Sequence, residues 1–263
     1  MEHDPMMSHP IDPELMNEAV ELLREAGRIT LGWFGSDDLS VDRKEDGTPV
    51  TDADRAAERY LRERLAELHP DDTLIGEEEG LSEGTSGREW VIDPIDGTKA
   101  FTAGVPLYCN LLAMTDRHGP ALGVINLPAL DETVYAGRGL GCFCNRRPAR
   151  VSRTEDLSGA ILTTSGYEAW SDEMLRRAKS AGFQLRTWGD GYGYALVATG
   201  RVDVMVDPEA ARWDLEPMSV ILSEAGGCFT TLTGEVDPSG GSGVGSNGLV
   251  HDRVLAVLSG SGT

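Results

Sequence analysis

Long apolar runs are absent from this 263-residue sequence, and cysteine is scarce. The apolar runs are far shorter than the roughly 20 residues that a transmembrane helix requires, so we predict no membrane span. The opening residues Met1-Glu2-His3-Asp4-Pro5 have neither the basic nor the apolar stretch of a secretory signal. The few cysteines are irregularly spaced and lack the second paired element of a zinc site. We therefore expect a cytoplasmic protein with reduced, mostly buried thiols. The cysteines are Cys109, Cys142, Cys144 and Cys228.

Basic residues are also few, because the chain has 23 Lys and Arg against 44 Asp and Glu, a formal net charge of -21. Nucleic acids and anionic membrane surfaces are bound chiefly through Lys and Arg, so we expect neither as a partner. An anionic small molecule stays compatible with this charge, since metal ions held by carboxylates can invert the local field. Hydrophobic residues make up 40% and charged residues 25%, as in ordinary globular proteins. The chain should therefore fold around a core, as one large domain or two small ones.

Two different patterns of secondary structure divide the sequence. Before about Asn145, helices are predicted from Pro13 to about Trp33 and from Thr51 onward. A short strand is predicted at 73–76, and strands predicted at 107–115, 121–127 and 133–136 suggest an antiparallel meander. After Asn145, predicted strands at 160–164, 183–187 and 202–206 alternate with helices at 172–181, 192–199 and 215–225. We therefore predict an α+β domain at residues 1–145 and an α/β domain at residues 146–263.

Several stretches are predicted to be irregular. Residues 1–11 are interpreted as a flexible leader, and residues 35–38 as a turn. Residues 41–50 carry Lys44 among polar residues, Gly and Pro, which indicates an exposed loop able to close over a site. Residues 238–248 are rich in Gly and Ser and are predicted to be a loop. A short helix at 251–258 and a flexible tail should follow.

One stretch combines an apolar run with acidic residues. A buried strand beginning at Trp90 ends in Asp93 and Asp96, and Gly97 and Thr98 follow at once. Two adjacent ionised carboxylates require relief by protonation, a basic partner or a metal. The Gly-Thr pair offers N–H groups and a hydroxyl, which suit a phosphate at a helix N-terminus. The stretch therefore suggests that metal and phosphate meet here.

Other acidic residues have a structural explanation beside the chemical one. Thr51 and Asp54 have the spacing of a capping box at the start of a helix. Glu77 is the first of three acids that follow a strand, where acidic residues are commonly solvated. Asp214 suits the N-cap of the helix that follows it. Since a residue can cap a helix and bind metal at once, local sequence leaves both interpretations open.

The ordered set of motifs resembles the inositol monophosphatase family of metal-dependent phosphomonoesterases. It consists of Gly76-Glu77-Glu78, Asp93-Pro94-Ile95-Asp96-Gly97-Thr98 and Trp213-Asp214 with Glu224-Ala225-Gly226-Gly227. The match spans nearly the whole chain and includes Lys44 and the Thr51–Asp54 segment upstream. The resemblance implies a layered α-β-α-β-α sugar-phosphatase fold of the α/β class and a homodimer.

The resemblance also implies a Mg²⁺ centre with two to three ions per subunit. Glu77, Asp93 and the backbone carbonyl of Ile95 would hold the first ion. Asp93, Asp96 and Asp214 would hold the second. Mg²⁺ prefers oxygen ligands, and two ions about 3.5–4 Å apart can clamp the attacking and leaving oxygens of a displacement.

Catalytic roles follow from the same resemblance. Asp54 and Thr98 would take the proton of the attacking water or orient it. The phosphate would rest on the N–H groups of Gly97 and Thr98. Glu78 and Lys44 would support catalysis from a loop near the metals.

The substrate is predicted from residues outside the metal motifs. Inositol phosphatases of the family usually carry Asn before the Phe that follows the Thr, whereas this chain reads Lys99-Ala100-Phe101. Gly104-Val105-Pro106-Leu107 and Trp188-Gly189-Asp190 are more similar to the histidinol-phosphate phosphatase branch. We therefore expect L-histidinol phosphate to be hydrolysed to L-histidinol, a step of histidine biosynthesis. Its imidazole and amine would favour carboxylates, for which Asp190 and Asp207 are candidates, with Lys99 as a further contact.

Three alternatives stay open from the sequence. The substrate could be inositol 1-phosphate or another sugar phosphate. It could be adenosine 3′,5′-bisphosphate, since phosphatases of that compound also carry Lys after Gly-Thr, although its charge would want more Arg or Lys. The chain could also be a regulatory binding protein that retains the fold, but its intact metal ligands argue against lost catalysis.

Overall fold

A computed structural model of the protein describes residues 9–36, 39–44 and 47–260. Within these ranges the helices are α1 (Pro13–Leu31), α2 (Asp52–Leu68), α3 (Thr98–Thr102), α4 (Asp172–Ser180), α5 (Asp190–Ala198), α6 (Arg212–Glu224) and α7 (His251–Ser259). None of them combines the length and the apolarity that a membrane crossing requires.

The strands of the N-terminal part are β1 (Val41–Arg43), β2 (Pro49–Thr51), β3 (Thr73–Gly76), β4 (Gly80–Ser82), β5 (Glu89–Asp96), β6 (Cys109–Asp116), β7 (Gly119–Leu127), β8 (Glu132–Gly137), β9 (Gly141–Cys144) and β10 (Arg147–Pro148). Those of the C-terminal part are β11 (Ile161–Thr163), β12 (Gln184–Arg186), β13 (Val204–Asp207), β14 (Cys228–Thr230) and β15 (Gly243–Ser246).

Two large sheets organise these strands. The first has eight strands in the order β10-β9-β8-β7-β6-β5-β3-β4, and the second has five in the order β12-β11-β13-β15-β14. Strands β5 to β9 pair with their chain neighbours in antiparallel fashion, which confirms the predicted meander. Strand β3 pairs with β5 in parallel, so the carboxyl ends of both strands lie at the same edge of the sheet.

Helices cover both faces of the two sheets. Helices α1 and α2 bury residues such as Leu23 and Leu61 against the first sheet. Helices α5 and α6 lie between the sheets, where Tyr194 and Met218 share a core with strands of both. Helices α4 and α7 cover the outer face of the second sheet. These layers confirm the predicted α-β-α-β-α architecture.

Helix α6 approaches the first sheet closely at one glycine. A Cβ added to Gly123 on β7 would lie 2.5 Å from the carbonyl oxygen of Pro217 and 3.0 Å from its Cα. Neither atom can move without shifting the helix, because both belong to the backbone of α6. The absence of a side chain at Gly123 therefore sets the height of α6 above the sheet.

We expect Gly123→Ala to lower the free energy of unfolding by about 1–3 kcal/mol, as other overpacked cores do. Urea denaturation followed by circular dichroism measures this change. Gly32→Ala is the matched control, because Gly32 is exposed after α1 with a φ of -62°, and an added Cβ would lie 3.2 Å from its nearest neighbour, the carbonyl oxygen of Ile29. A loss below about 0.5 kcal/mol for Gly123→Ala, within the range of surface substitutions, would contradict the packing argument.

The predicted loop at 238–248 is partly wrong, because residues Gly243–Ser246 form strand β15 between β13 and β14. Two glycines of this strand are needed because neighbouring side chains occupy the position that a Cβ would take. A Cβ at Gly243 would lie 2.4 Å from the Tyr194 hydroxyl, and one at Gly245 would lie 2.6 Å from Leu222 Cδ1. Composition indicated a flexible loop, but the helices pack directly on this strand's backbone.

Two further predictions of irregular structure need correction. The part of the predicted leader that the structure describes is ordered, since Ile11 is buried and its N–H donates to the carbonyl of Arg138 at 3.1 Å. Residues 41–50 contain the antiparallel strand pair β1–β2, whose first strand is fully exposed. Four segments of these predictions lie outside the described residues: residues 1–8 of the leader, Asp37-Asp38 of the turn, Glu45-Asp46 of the loop at 41–50, and residues 261–263 of the tail.

Candidate active site

Asp93 and Asp96 lie at the carboxyl end of β5, where the strand is irregular. Residues three apart on a regular strand face opposite sides of the sheet. Here the register with β6 shifts between Asp93 and Asp96, around Pro94, whose carbonyl accepts a 2.6 Å hydrogen bond from Asn110 Nδ2. This β-bulge lets both carboxylates point toward one site.

Asp214 completes a cluster of three carboxylates. One oxygen each of Asp93, Asp96 and Asp214 lies within 4.8 Å of the others. The predicted N-cap position of Asp214 is wrong, because α6 begins at Arg212 and places Asp214 within its first turn. There Asp214 Oδ2 accepts a 2.8 Å hydrogen bond from the N–H of Ala211. This bond fixes the orientation of the carboxylate and therefore of Oδ1.

Burial and mutual repulsion disfavour the charged forms of this cluster. Burial raises the pKa of Asp93 well above its usual value, and the charges of Glu77 and Asp96 raise it further. Burial likewise raises the pKa of Asp96, with Asp190 and Asp214 as the nearest like charges. The N–H of Gly191 and the thiol of Cys109 donate to Asp96 Oδ2 and offset part of this effect. The cluster therefore attracts a cation strongly.

Glu77 and Glu78 follow β3 beside this cluster, and the ammonium group of Lys44 contacts both. Lys44 Nζ lies 2.6 Å from Glu77 Oε1 and 2.6 Å from Glu78 Oε1. Burial alone would lower the pKa of Lys44, but the hydrogen bonds to the two carboxylates outweigh burial and raise it. The hairpin that carries Lys44 therefore contacts Glu77 and Glu78, and a role for Lys44 in catalysis stays a prediction.

The donor set suits a hard divalent cation. Asp93, Asp96 and Asp214 each offer a carboxylate oxygen within 4.8 Å of the others, and Glu77 lies close enough to raise the pKa of Asp93. The carbonyl of Ile95 lies in the bulge between the two aspartates and accepts a 3.0 Å hydrogen bond from Thr98 Oγ1. Oxygen-only donors of this kind are those that Mg²⁺ prefers.

Asp54 forms the predicted capping box with Thr51 at the start of α2. Its Oδ2 accepts the N–H of Thr51 at 2.8 Å and the hydroxyl of the same residue. Its Oδ1 is buried without a hydrogen-bond partner. Burial raises the pKa of Asp54 to about 6, and the nearby charge of Glu78 contributes in the same direction. Asp54 thus caps a helix and still keeps one acceptor oxygen for chemistry.

The predicted phosphate-binding residues lie directly after the bulge. Gly97 has a φ of 83°, a left-handed conformation that favours glycine, and it precedes the short helix α3. A Cβ at Gly97 would lie only 2.8 Å from Asp190 Oδ2. Asp190, from the second half of the chain, therefore lies against the predicted phosphate-binding residues. Thr98 and Asp54 make no hydrogen bond to each other within the described ranges, so their joint action on a water stays a prediction.

A cavity of about 740 Å³ opens beside the carboxylate cluster. Its acidic lining residues are Glu77, Glu168, Asp190, Asp207, Glu209 and Asp214, and Lys99 is the one cation among the described lining residues. The cavity lining is therefore strongly acidic, and Asp190 and Asp207 line it together with Glu77 and Asp214.

Asp190 and Asp207 both reach this cavity, but their surroundings differ. Asp207 is buried at the end of β13 and accepts hydrogen bonds from Ser165 N at 3.1 Å and Ser165 Oγ at 2.7 Å. Burial raises the pKa of Asp207 to about 7. Asp190 begins α5, and its N–H donates to the same Ser165 hydroxyl at 2.8 Å. Ser165 therefore links the two predicted substrate residues, a role that nothing in its local sequence indicates.

Glu58 is a second residue that sequence reasoning missed. It is fully buried on α2 and accepts hydrogen bonds from the N–H groups of Glu78 and Glu79. Its position four residues after Asp54 places both on one face of α2. That spacing was a usable signal, since a buried charge needs partners.

Comparison with known proteins agrees with this geometry. The family model described as the inositol monophosphatase family matches residues 12–262. A histidinol-phosphatase of Mycobacterium tuberculosis is 41% identical over 91% of this chain and 96% of its own length. A histidinol-phosphatase of Chlorobaculum parvum is 40% identical over 93% of this chain and 96% of its own.

Solved structures give the same result for the fold. The IMPase of Thermotoga maritima matches with a TM-score of 0.85 and 32% identity, over 94% of this chain and 97% of its own. The family match covers nearly the whole chain, and the layered fold and the clustered acidic residues both agree with it. The chain therefore belongs to the inositol monophosphatase family.

Proposed function

We propose that this chain is a Mg²⁺-dependent phosphatase that hydrolyses L-histidinol phosphate to L-histidinol and phosphate, within histidine biosynthesis. The observation that carries the substrate is the acidic cavity wall beside the carboxylate cluster. An alcohol that bears an amine and an imidazole finds carboxylates there, while its phosphate lies toward the metal ligands. The histidinol-phosphatases that are 41% and 40% identical to this chain support the same substrate.

The metal ligands in this proposal are Glu77, Asp93, the carbonyl of Ile95, Asp96 and Asp214. Two to three Mg²⁺ ions would bind these oxygens. When bound, Mg²⁺ supplies Lewis-acid stabilisation of phosphoryl charge and activates water as a nucleophile. Lys44 balances the charges of Glu77 and Glu78 and holds both carboxylates at the edge of the site.

The other groups of the site act on phosphate and protons. The N–H groups of Gly97 and Thr98 bind phosphate oxygens at the point where β5 ends. Asp54 accepts a proton from the attacking water through its unpartnered Oδ1, and its pKa of about 6 suits a base near neutral pH. Glu78, whose pKa is raised by burial, supports that transfer from the neighbouring turn.

The cavity also disfavours the rival substrates. Adenosine 3′,5′-bisphosphate carries two phosphate groups and would require several Arg or Lys side chains, but Lys99 is the one cation among the described lining residues. Inositol 1-phosphate is neutral on its alcohol side and gains less from the acidic wall. A regulatory protein would have no need of the intact carboxylate cluster.

Kinetics on three substrates test the proposal. We expect kcat/KM for L-histidinol phosphate to exceed that for inositol 1-phosphate and adenosine 3′,5′-bisphosphate by about 100-fold or more, because unpaired buried polar groups penalise the wrong ligand. Phosphate release is measured for each compound with Mg²⁺ and with EDTA. Equal or higher kcat/KM for either rival would contradict the proposed substrate.

Three broader predictions belong to the same proposal. We expect a homodimer in the cytoplasm, as the family resemblance and the free cysteines suggest. The division of the chain into domains at residues 1–145 and 146–263 also stays a prediction. The site draws on both parts, since Asp93 and Asp214 come from opposite sides of that boundary.

A further inference from the structure

Glu58 holds the turn that carries Glu77 and Glu78. Its Oε2 accepts the N–H of Glu78 at 2.8 Å, and its Oε1 accepts the N–H of Glu79 at 2.9 Å. The side chain has no solvent exposure. A carboxylate buried to this extent is stable only with such partners, so the turn and Glu58 constrain each other.

Arg62 extends this contact to the following strand. Its Nε donates to Glu58 Oε1 at 2.8 Å, and its guanidinium also donates to the carbonyl of Gly80 and to Ser82 Oγ at 3.2 Å. One turn of α2 therefore supplies an acceptor for the residues after β3 and a donor for β4. Helix α2 therefore contacts both the Glu77–Glu79 turn and the strand that follows it.

The end of β3 leaves room for this arrangement. A Cβ added to Gly76 would lie 2.0 Å from Glu58 Oε1 and 2.8 Å from an Arg62 nitrogen. The residue directly before Glu77 must therefore be glycine if Glu58 is to reach the turn. Because a side chain there would displace the carboxylate, Gly76 and Glu58 depend on each other.

The contact also joins two parts of the candidate site. Asp54, Glu58 and Arg62 follow each other at intervals of four on α2, so they lie along one face of the helix. Asp54 reaches the candidate site itself, and Glu58 fixes the peptide group that carries Glu78. The distance between Asp54 and the Glu77–Glu78 pair is therefore set by one rigid turn of helix.

We propose that Glu58 is a positioning residue, which orients Glu77 for Mg²⁺ binding through the backbone of the Glu77–Glu79 turn without touching metal or substrate. The inference rests on the proposed function, because that function makes Glu77 a Mg²⁺ ligand. Residues that orient metal ligands typically affect metal affinity or activity by about 10–100-fold.

Glu58→Gln tests the role, because its amide keeps the size of the side chain but cannot accept both N–H groups of the turn. We expect the Mg²⁺ concentration for half-maximal phosphate release to rise about 10-fold or more. We also expect Mg²⁺ to raise the Tm of this variant less than that of the wild type at equal concentrations. Glu63→Gln is the matched control, since Glu63 is an exposed carboxylate on the same helix.

The Tm measurement separates positioning from simple stabilisation. A residue that only stabilises the fold would lower the Tm without Mg²⁺ but leave the Mg²⁺-induced rise unchanged. An unchanged rise together with a half-saturating Mg²⁺ concentration within twofold of the wild type would overturn the proposal. If Glu58→Gln does not fold, Glu58→Asp decides by the same two criteria, because it keeps the charge but is one carbon too short.

An error in the proposed substrate would be detected separately from an error in the proposed role of Glu58. If the wild type releases no phosphate from L-histidinol phosphate, that substrate is wrong. The Mg²⁺-induced rise in Tm still compares Glu58→Gln with the wild type and with Glu63→Gln. The role of Glu58 in metal binding is thus decided without turnover.

Discussion

Asp93→Asn is expected to lower kcat/KM about 1,000-fold or more, the largest effect of any single substitution in this chain. Asp93 belongs to both of the Mg²⁺ ligand sets that the family resemblance implies, and one of its carboxylate oxygens lies within 4.8 Å of oxygens of Asp96 and Asp214. An amide offers a weaker donor oxygen and no charge, and the loss of electrostatic stabilisation at a reacting phosphate has effects of this order. Phosphate release at saturating Mg²⁺ measures the loss.

The same variant should stay folded, because the substitution removes a buried charge that its neighbours repel. We expect its Tm without Mg²⁺ to equal or exceed that of the wild type, and its Mg²⁺-induced rise in Tm to be reduced. Asp252→Asn, an exposed carboxylate on α7, should change neither activity nor Tm. Activity of Asp93→Asn within tenfold of the wild type would exclude the shared-ligand arrangement.

Asp207→Asn is expected to stabilise the metal-free protein at neutral and higher pH. Burial raises the pKa of Asp207 from 3.8 to about 7, so the folded state holds a proton that the unfolded state has released. The folded protein therefore binds more protons than the unfolded chain between about pH 4 and pH 7, and stability falls as pH rises through that window. This difference in the pKa of Asp207 lowers the free energy of unfolding by at most about 4 kcal/mol across the window.

The amide of Asn keeps the acceptor for Ser165 and has no proton to lose. The free energy of unfolding of Asp207→Asn, measured by urea denaturation in EDTA, should therefore fall less than that of the wild type between pH 4 and pH 8. Glu209→Gln serves as the control, because its exposed side chain lies two residues away. Parallel pH profiles for wild type and Asp207→Asn would show that Asp207 is not protonated in the folded state.

The core of the site could be predicted from the sequence because its residues follow recognisable elements. Asp93 and Asp96 close an apolar strand, and Asp54 occupies a capping box whose spacing is local. What the sequence could not give is how Asp93 and Asp96 reach one side of the sheet. That depends on the bulge around Pro94, which β6 imposes through its own register. Pairing with a distant strand is a tertiary property and leaves no periodic signal.

Two predictions are wrong for different physical reasons. Acidic residues are favoured at an N-cap, so the sequence predicts that α6 begins after Asp214. The helix instead begins three residues earlier, at Arg212, and Asp214 accepts a hydrogen bond from the N–H of Ala211. Glycine usually weakens a strand, so residues 243–246 are predicted to form a loop. There the deciding contacts come from residues far along the chain, such as Tyr194 against Gly243.

Strand β15 also fixes the order in which the second sheet can be completed during synthesis. It is the last strand in the chain, yet it lies between β13 and β14 and bonds to both. A nascent chain that has not yet exposed residue 243 leaves β13 with one open edge and β14 with no partner in the sheet. Helix α6, which carries Asp214, precedes β15 and packs against it only afterwards. Closure of this sheet therefore waits until residues 243–246 have been synthesised, and pairing between strands distant in sequence is slow.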